Sequence, residues 1–187
     1  TSVSRGLGDV YKRQAKDLFK NSDSNFVFNK SLEHISKKRG DLGSTYKKYF
    51  DFIKPIFEGN EHFNQKLLHL SCVLSHMDWG LGAFQKAELV FQETLNTPLL
   101  KLSHKERIQL ALSCYWRYCS IKYNPKIEYL TFLNNNEIYS CKQVGAALRF
   151  ANSLTSISTI FLEEFKLYKR GNACLLYTSP SPRDTEV

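Results

Sequence analysis

The chain has 187 residues, 42% of them hydrophobic and 24% charged, which suits one domain with a sizeable core and excludes a disordered chain. Nine Gly and five Pro are too few for a Gly-rich nucleotide-binding sheet or a turn-rich β-sandwich. Twenty-six basic against eighteen acidic residues give a formal charge of +8, which favours an anionic partner.

Residues 1–14, TSVSRGLGDVYKRQ, carry no period of 2 or 3.6 and open without an initiator Met. They resemble translated library-adaptor sequence at the end of a metagenomic reading frame, as does the Ser/Pro-rich stretch 174–187. Both are expected to be non-native tails, with one folded domain over residues 15–173.

Within that interior the hydrophobic spacing predicts helices almost throughout. Phe28, Leu32 and Ile35 recur at steps of four and three between Asn25 and Lys38, and Gly40 supplies a stop. A second helix is expected from Ser44 to Phe57, with Tyr46, Tyr49, Phe50, Ile53 and Phe57 on one side and Pro55 opening it near Asp51 and Phe52. Glu61 to His76 puts Phe63, Leu67, Leu70 and Leu74 on a stripe that Leu68, Cys72 and Val73 widen, the pattern of a helix buried on most sides. After Gly80 and Gly82, Phe84 to Leu95 predicts a shorter helix. Ser103 and Glu106 form a capping box for the next, which carries Ile108, Ala111, Leu112, Tyr115 and Cys119. A turn or two over Ile127–Leu133 precedes the last long helix, Glu137 to Leu154. Only Ile160 to Tyr168 alternates as a strand, and the Arg170-Gly171-Asn172 turn would begin a hairpin. The fold class is therefore mainly α, a helical bundle with one short C-terminal β-strand or truncated hairpin.

Five cysteines, Cys72, Cys114, Cys119, Cys141 and Cys174, make an odd set without a CxxC pair, as expected of reduced thiols in a cytoplasmic protein. No run reaches the ~18 apolar residues of a membrane span, and no secretory signal is recognisable.

Few residues point to chemistry. His62, His69 and His76 are seven apart and share a stripe. A seven-residue helical step rises ~10.5 Å, whereas zinc ligands lie ~2 Å from the ion, so one metal cannot take two of them from one helix. Ser71 and Cys72 stand four or five residues from His76, but neither an orienting Asp or Asn nor a strained elbow accompanies them. No catalytic residue and no metal ligand is therefore assigned. The basic residues are the marked asymmetry. Lys37, Lys38 and Arg39 end one helix, Lys47 and Lys48 begin the next, and Lys30, Lys54 and Lys66 lie nearby. The four-residue link Gly40-Asp41-Leu42-Gly43 should gather the first five at one end of a helix pair, as a polyanion-binding face.

Leu70-Ser71-Cys72-Val73-Leu74-Ser75-His76-Met77-Asp78-Trp79 resembles the "A-C-L-L-S-D-I-G-W" segment of the exopolyphosphatase/guanosine pentaphosphate phosphohydrolase family, particularly its alphaproteobacterial branch. Ser103 to Arg107, continuing to Arg117, is similar to that family's "D-H-P-G-R" helix, and Val144 to Ala151 to its "L-G-A-A-L-R-V-A" helix. Phe161 to Lys169 resembles the strand that follows. The resemblance spans nearly all of residues 15–173.

It implies a bacterial, cytoplasmic protein whose helical domain is of the HD-like type and follows two actin-like domains. Those domains would carry phosphoanhydride hydrolysis and its divalent cation, such as Mg, and would be absent from this piece. The helical domain would hold no cofactor of its own. It would contribute packing, a basic passage for polyphosphate or another phosphate polyanion, and a possible homodimer contact. Two departures stand out: His76 and Asp78 replace the branch's Asp and Gly, and Gly80 to Lys86 replaces its "R-A-H-P-D-Y-R". An HD-type metal-dependent phosphohydrolase and a basic helical nucleic-acid-binding module are the alternative functions.

Overall fold

Apolar residues repeating at three and four positions produce helices along most of the chain. The computed structural model describes residues 24–38, 45–59, 64–76, 80–99, 102–123, 125, 127–155, 161–171 and 173–178. Its helices are α1 (Ser24–Lys38), α2 (Thr45–Phe57), α3 (Gln65–Leu74), α4 (Ala83–Asn96), α5 (His104–Tyr118), α6 (Ile127–Leu130), α7 (Asn135–Leu154) and α8 (Phe161–Glu164). An antiparallel hairpin, β1 (Phe165–Arg170) and β2 (Ala173–Thr178), follows. The mainly helical class with a C-terminal hairpin is the architecture expected. None of these helices is long and apolar enough to cross a membrane.

Capping fixes where several helices start. Ser103 Oγ accepts from the Glu106 backbone N–H at 3.2 Å, and Glu106 Oε2 accepts from the Ser103 N–H at 2.9 Å. The same reciprocal box, Asn134 with Glu137, opens α7 two residues before the expected start. α2 continues through Pro55 and ends two residues later. Proline there deprives Asp51 of only one helical hydrogen bond, and Gly59 at φ 77° then turns the chain.

The expected strand from Ile160 to Tyr168 is shorter and preceded by helix. Leu162 and Leu167 are both buried in one apolar cluster, although they differ by an odd number of positions. A continuous strand would send them to opposite faces. The α8 turn resets the direction and lets both point inward. β2 pairs with β1 from Phe165↔Thr178 to Arg170↔Ala173, so the hairpin is complete and runs into the stretch 174–187. The N-terminal stretch 1–14 lies outside the described residues.

α5 is the central element. Every residue from Leu110 to Arg117 is buried. One flank packs Ala111, Leu112, Tyr115 and Trp116 against Ala87 and Phe91 of α4 and Cys141 of α7. Another packs Leu110 and Cys114 against Leu70, Val73 and Leu74 of α3 and Leu32 of α1. A third cluster joins Tyr49, Phe50, Ile53 and Phe57 of α2 to Leu68 of α3, Leu148 and Ala151 of α7, and Leu167. Closeness between α5 and α7 requires Gly145: a Cβ there would lie 2.6 Å from Trp116 Cβ and 3.0 Å from the Ser113 carbonyl oxygen.

Candidate functional site

Two groups of polar side chains stand out against this core, one buried and one on the surface. The buried group centres on Arg117, in the last turn of α5 and only 5% exposed. Its Nη1 donates to Ser75 Oγ at 2.8 Å and lies 2.6 Å from His76 Nδ1, and its Nη2 donates to Asn152 Oδ1 at 2.7 Å. Guanidinium nitrogens only donate, so His76 Nδ1 is the acceptor and a neutral ring carries its proton on Nε2. The cation also lies over two phenol rings, 5.8 Å from the centroid of Tyr49 and 5.3 Å from that of Tyr118. Tyr118 in turn donates its hydroxyl to the Ser75 carbonyl at 2.6 Å. Nε has no hydrogen-bond partner among the described residues. Neutral acceptors and π-faces thus take the place of a carboxylate.

Among the described residues beside it, neither Ser71 nor Cys72 is activated as a nucleophile. Ser71 Oγ donates to the Leu67 carbonyl at 2.8 Å, a local bond within its own helix. Burial pushes the Cys72 thiol far above its ordinary value, and burial likewise raises Cys141 to about 12. Thiols held protonated are poor nucleophiles. No disulfide joins the five cysteines: the thiols of Cys72, Cys114, Cys119 and Cys141 are buried and that of Cys174 is exposed. Among the described residues no three His, Cys, Asp or Glu side chains gather as a metal site. His62 lies outside them. Between α3, α5 and α7 a cleft of about 40 Å³ is lined by Leu67, Leu68, Cys141 and Val144 together with Asn64, Ser71, Gln109, Ser113, Glu137 and Ser140, a volume on the scale of a water molecule.

The surface group contains the basic residues. Lys37 and Lys47 are exposed, at the end of α1 and the start of α2. Lys48 is partly covered, and its Nζ lies 2.8 Å from Glu163 Oε1 of α8. Adjacent on α2, Lys47 and Lys48 thus serve different surroundings. The Lys38 side chain and Arg39 lie outside the described residues, so the gathering of all five cations rests on the sequence. Lys47, Asp51 and Lys54 follow one stripe of α2, and all three act electrostatically on His69 of α3. Sequence spacing set His69 aside as an ordinary histidine because it lacked a metal partner. The signal for it was its position between two lysine-bearing helices.

Comparison with family models and with curated proteins finds no match for this sequence.

Proposed function

We propose that this chain is a helical accessory module of an enzyme of the exopolyphosphatase/guanosine pentaphosphate phosphohydrolase type, holding a phosphate polyanion rather than cleaving it. One observation carries the reading: the sequence blocks behind the resemblance converge in space. Ser75 and His76 lie within the first block, and Arg117, which bonds both, ends the second. Gly145 of the third packs on Trp116, and Arg149 of the third donates to the Cys119 carbonyl at 2.8 Å. Blocks scattered over the sequence thereby form one packed unit, as expected of pieces of a single ancestral domain.

In this reading hydrolysis, with its divalent cation, belongs to actin-like domains in the same cytoplasmic enzyme, and a second copy of the module can supply a dimer contact. Lys37, Lys38, Arg39, Lys47 and Lys48 form the basic surface toward the anion. Polyphosphate carries charge at every unit, so density of cations, not base recognition, sets affinity. Changing all five to Ser should weaken binding of long-chain polyphosphate while circular dichroism stays unchanged. Equal binding by the quintuple variant would make these residues an ordinary solvated surface.

A further inference from the structure

Where α2 and α3 meet, a histidine stands among lysines on the outer side of the core. His69 rests on the Phe50 ring, with centroids 3.4 Å apart, and faces the Phe28 ring of α1 at 6.5 Å. α2 brings Lys47, Asp51 and Lys54 to it on one stripe. α3 adds Lys66, one turn before His69, with its Nζ 5.8 Å from the same Phe28 ring. α1 contributes the Phe28 ring, and its Lys30 and Glu33 lie 3.2 Å from one another. Lys47 and Lys54 thus flank, three and four positions away on α2, the Phe50 ring on which His69 rests, and Lys66 shares α3 with the imidazole. Burial first, then Lys54 and Lys47, hold His69 below its ordinary value against the pull of Asp51.

A polyanion would reverse part of that balance. Phosphate oxygens on Lys47 and Lys54 offset the repulsion that disfavours imidazolium, and they attract the imidazolium directly. The Nε2 and Nδ1 positions of a protonated ring both donate, so the bound anion also gains a hydrogen-bond donor.

We propose that Lys54 and Lys66 with Lys47 extend the polyphosphate contact face around His69, and that binding raises the fraction of His69 that carries a proton taken from solvent. This rests on the function proposed above and adds a proton to it. No covalent bond to phosphorus forms or breaks. Because the bound state holds more protons, affinity must rise as pH falls through the range where the free ring is neutral.

The test is calorimetric titration of the whole chain with long-chain inorganic polyphosphate, in pairs of buffers that differ in protonation enthalpy. Long chains keep titrating terminal phosphates few. Net proton uptake is expected, with affinity about three- to tenfold higher near pH 5.5 than near pH 7.5. His69→Gln and His69→Phe should both abolish the uptake and flatten the pH profile, so that the gain in affinity near pH 5.5 is lost. The K47S/K54S/K66S triple variant should bind severalfold more weakly across the whole pH range. Uptake unchanged in both His69 variants, or affinity unchanged in the triple variant, would overturn the inference and leave the proposed function standing. Absence of polyphosphate binding by the unmodified chain at every pH would overturn both. Duplex DNA bound as tightly, with the same uptake, would overturn the assignment to polyphosphate.

Discussion

At the end of α5 a guanidinium is buried among a hydroxyl, an amide and an imidazole, whereas on α2 Lys47 and Lys54 act on one half-buried histidine of α3, and Lys66 of α3 lies over the Phe28 ring that this histidine faces. The contrast follows from the chemistry of the two cations. Arginine is weakly hydrated and spreads its charge over five donors, so neutral acceptors and aromatic faces can hold it inside. Lysine is a compact, strongly hydrated charge and remains where water or an anion can reach it. Charge removed at the first region should therefore be read in stability, and charge removed at the second in binding.

The largest effect separating the regions should come from Arg117→Met. It removes the donor shared by Ser75 Oγ, His76 Nδ1 and Asn152 Oδ1, of which Asn152 Oδ1 keeps the longer bond from the Tyr49 hydroxyl at 3.4 Å, and we expect a loss of about 3–5 kcal/mol in urea unfolding. A variant as stable as the parent would show that the buried network does not hold the helices together. Next, Gly145→Ala must push Trp116 and the α5 backbone away, at about 1–3 kcal/mol, read as a lower unfolding midpoint with little change in polyphosphate binding near neutral pH.

The surface region should respond to pH instead. His69 is depressed in the folded state, so the unfolded chain takes up its proton first as pH falls. Stability is then full above about pH 6.5, the ordinary histidine value, and declines as pH falls toward the lower folded value, below which this group removes no more. Urea midpoints against pH should show that slope in the parent and a flatter one in His69→Phe. The same slope in both would place the acid sensitivity elsewhere. The smallest effect is expected at the hairpin: none of the described side chains of β2 is in the fully buried core, so trimming after Ala173 should lower the thermal midpoint by about 2–4 °C. A collapse of helicity would instead make the second strand part of the folding unit.

Helices were legible because local signals agree with burial along them: the Ser103–Glu106 box, the Tyr49–Phe50–Ile53–Phe57 stripe and the apolar run of α5 all survive in the fold. Asn134 with Glu137 offered an equally local signal in the same spacing, which places the start of α7. The α8–β1 junction was harder to read, since alternation from Phe161 to Tyr168 fits a strand until Leu162 and Leu167 must enter one cluster. That requirement is tertiary. Site geometry was less visible for the same reason. Nothing local ties Arg117 to Ser75, 42 residues away, or sets His69 against the Lys47–Lys54 stripe of another helix. The lysines were legible as composition, but their division between Glu163 and His69 depends on how α2 is rotated in the packed structure.

The most direct test of the division between a buried and a binding cation is the salt dependence of polyphosphate affinity in the parent and in K47S/K54S/K66S. Every phosphate that the variant no longer neutralises should reduce the slope of log affinity against log salt by roughly one. The triple variant should therefore bind weakly, with a flattened slope and an unchanged unfolding midpoint. Parallel slopes in the two proteins would contradict the account, because these lysines would then carry no share of the anion's charge.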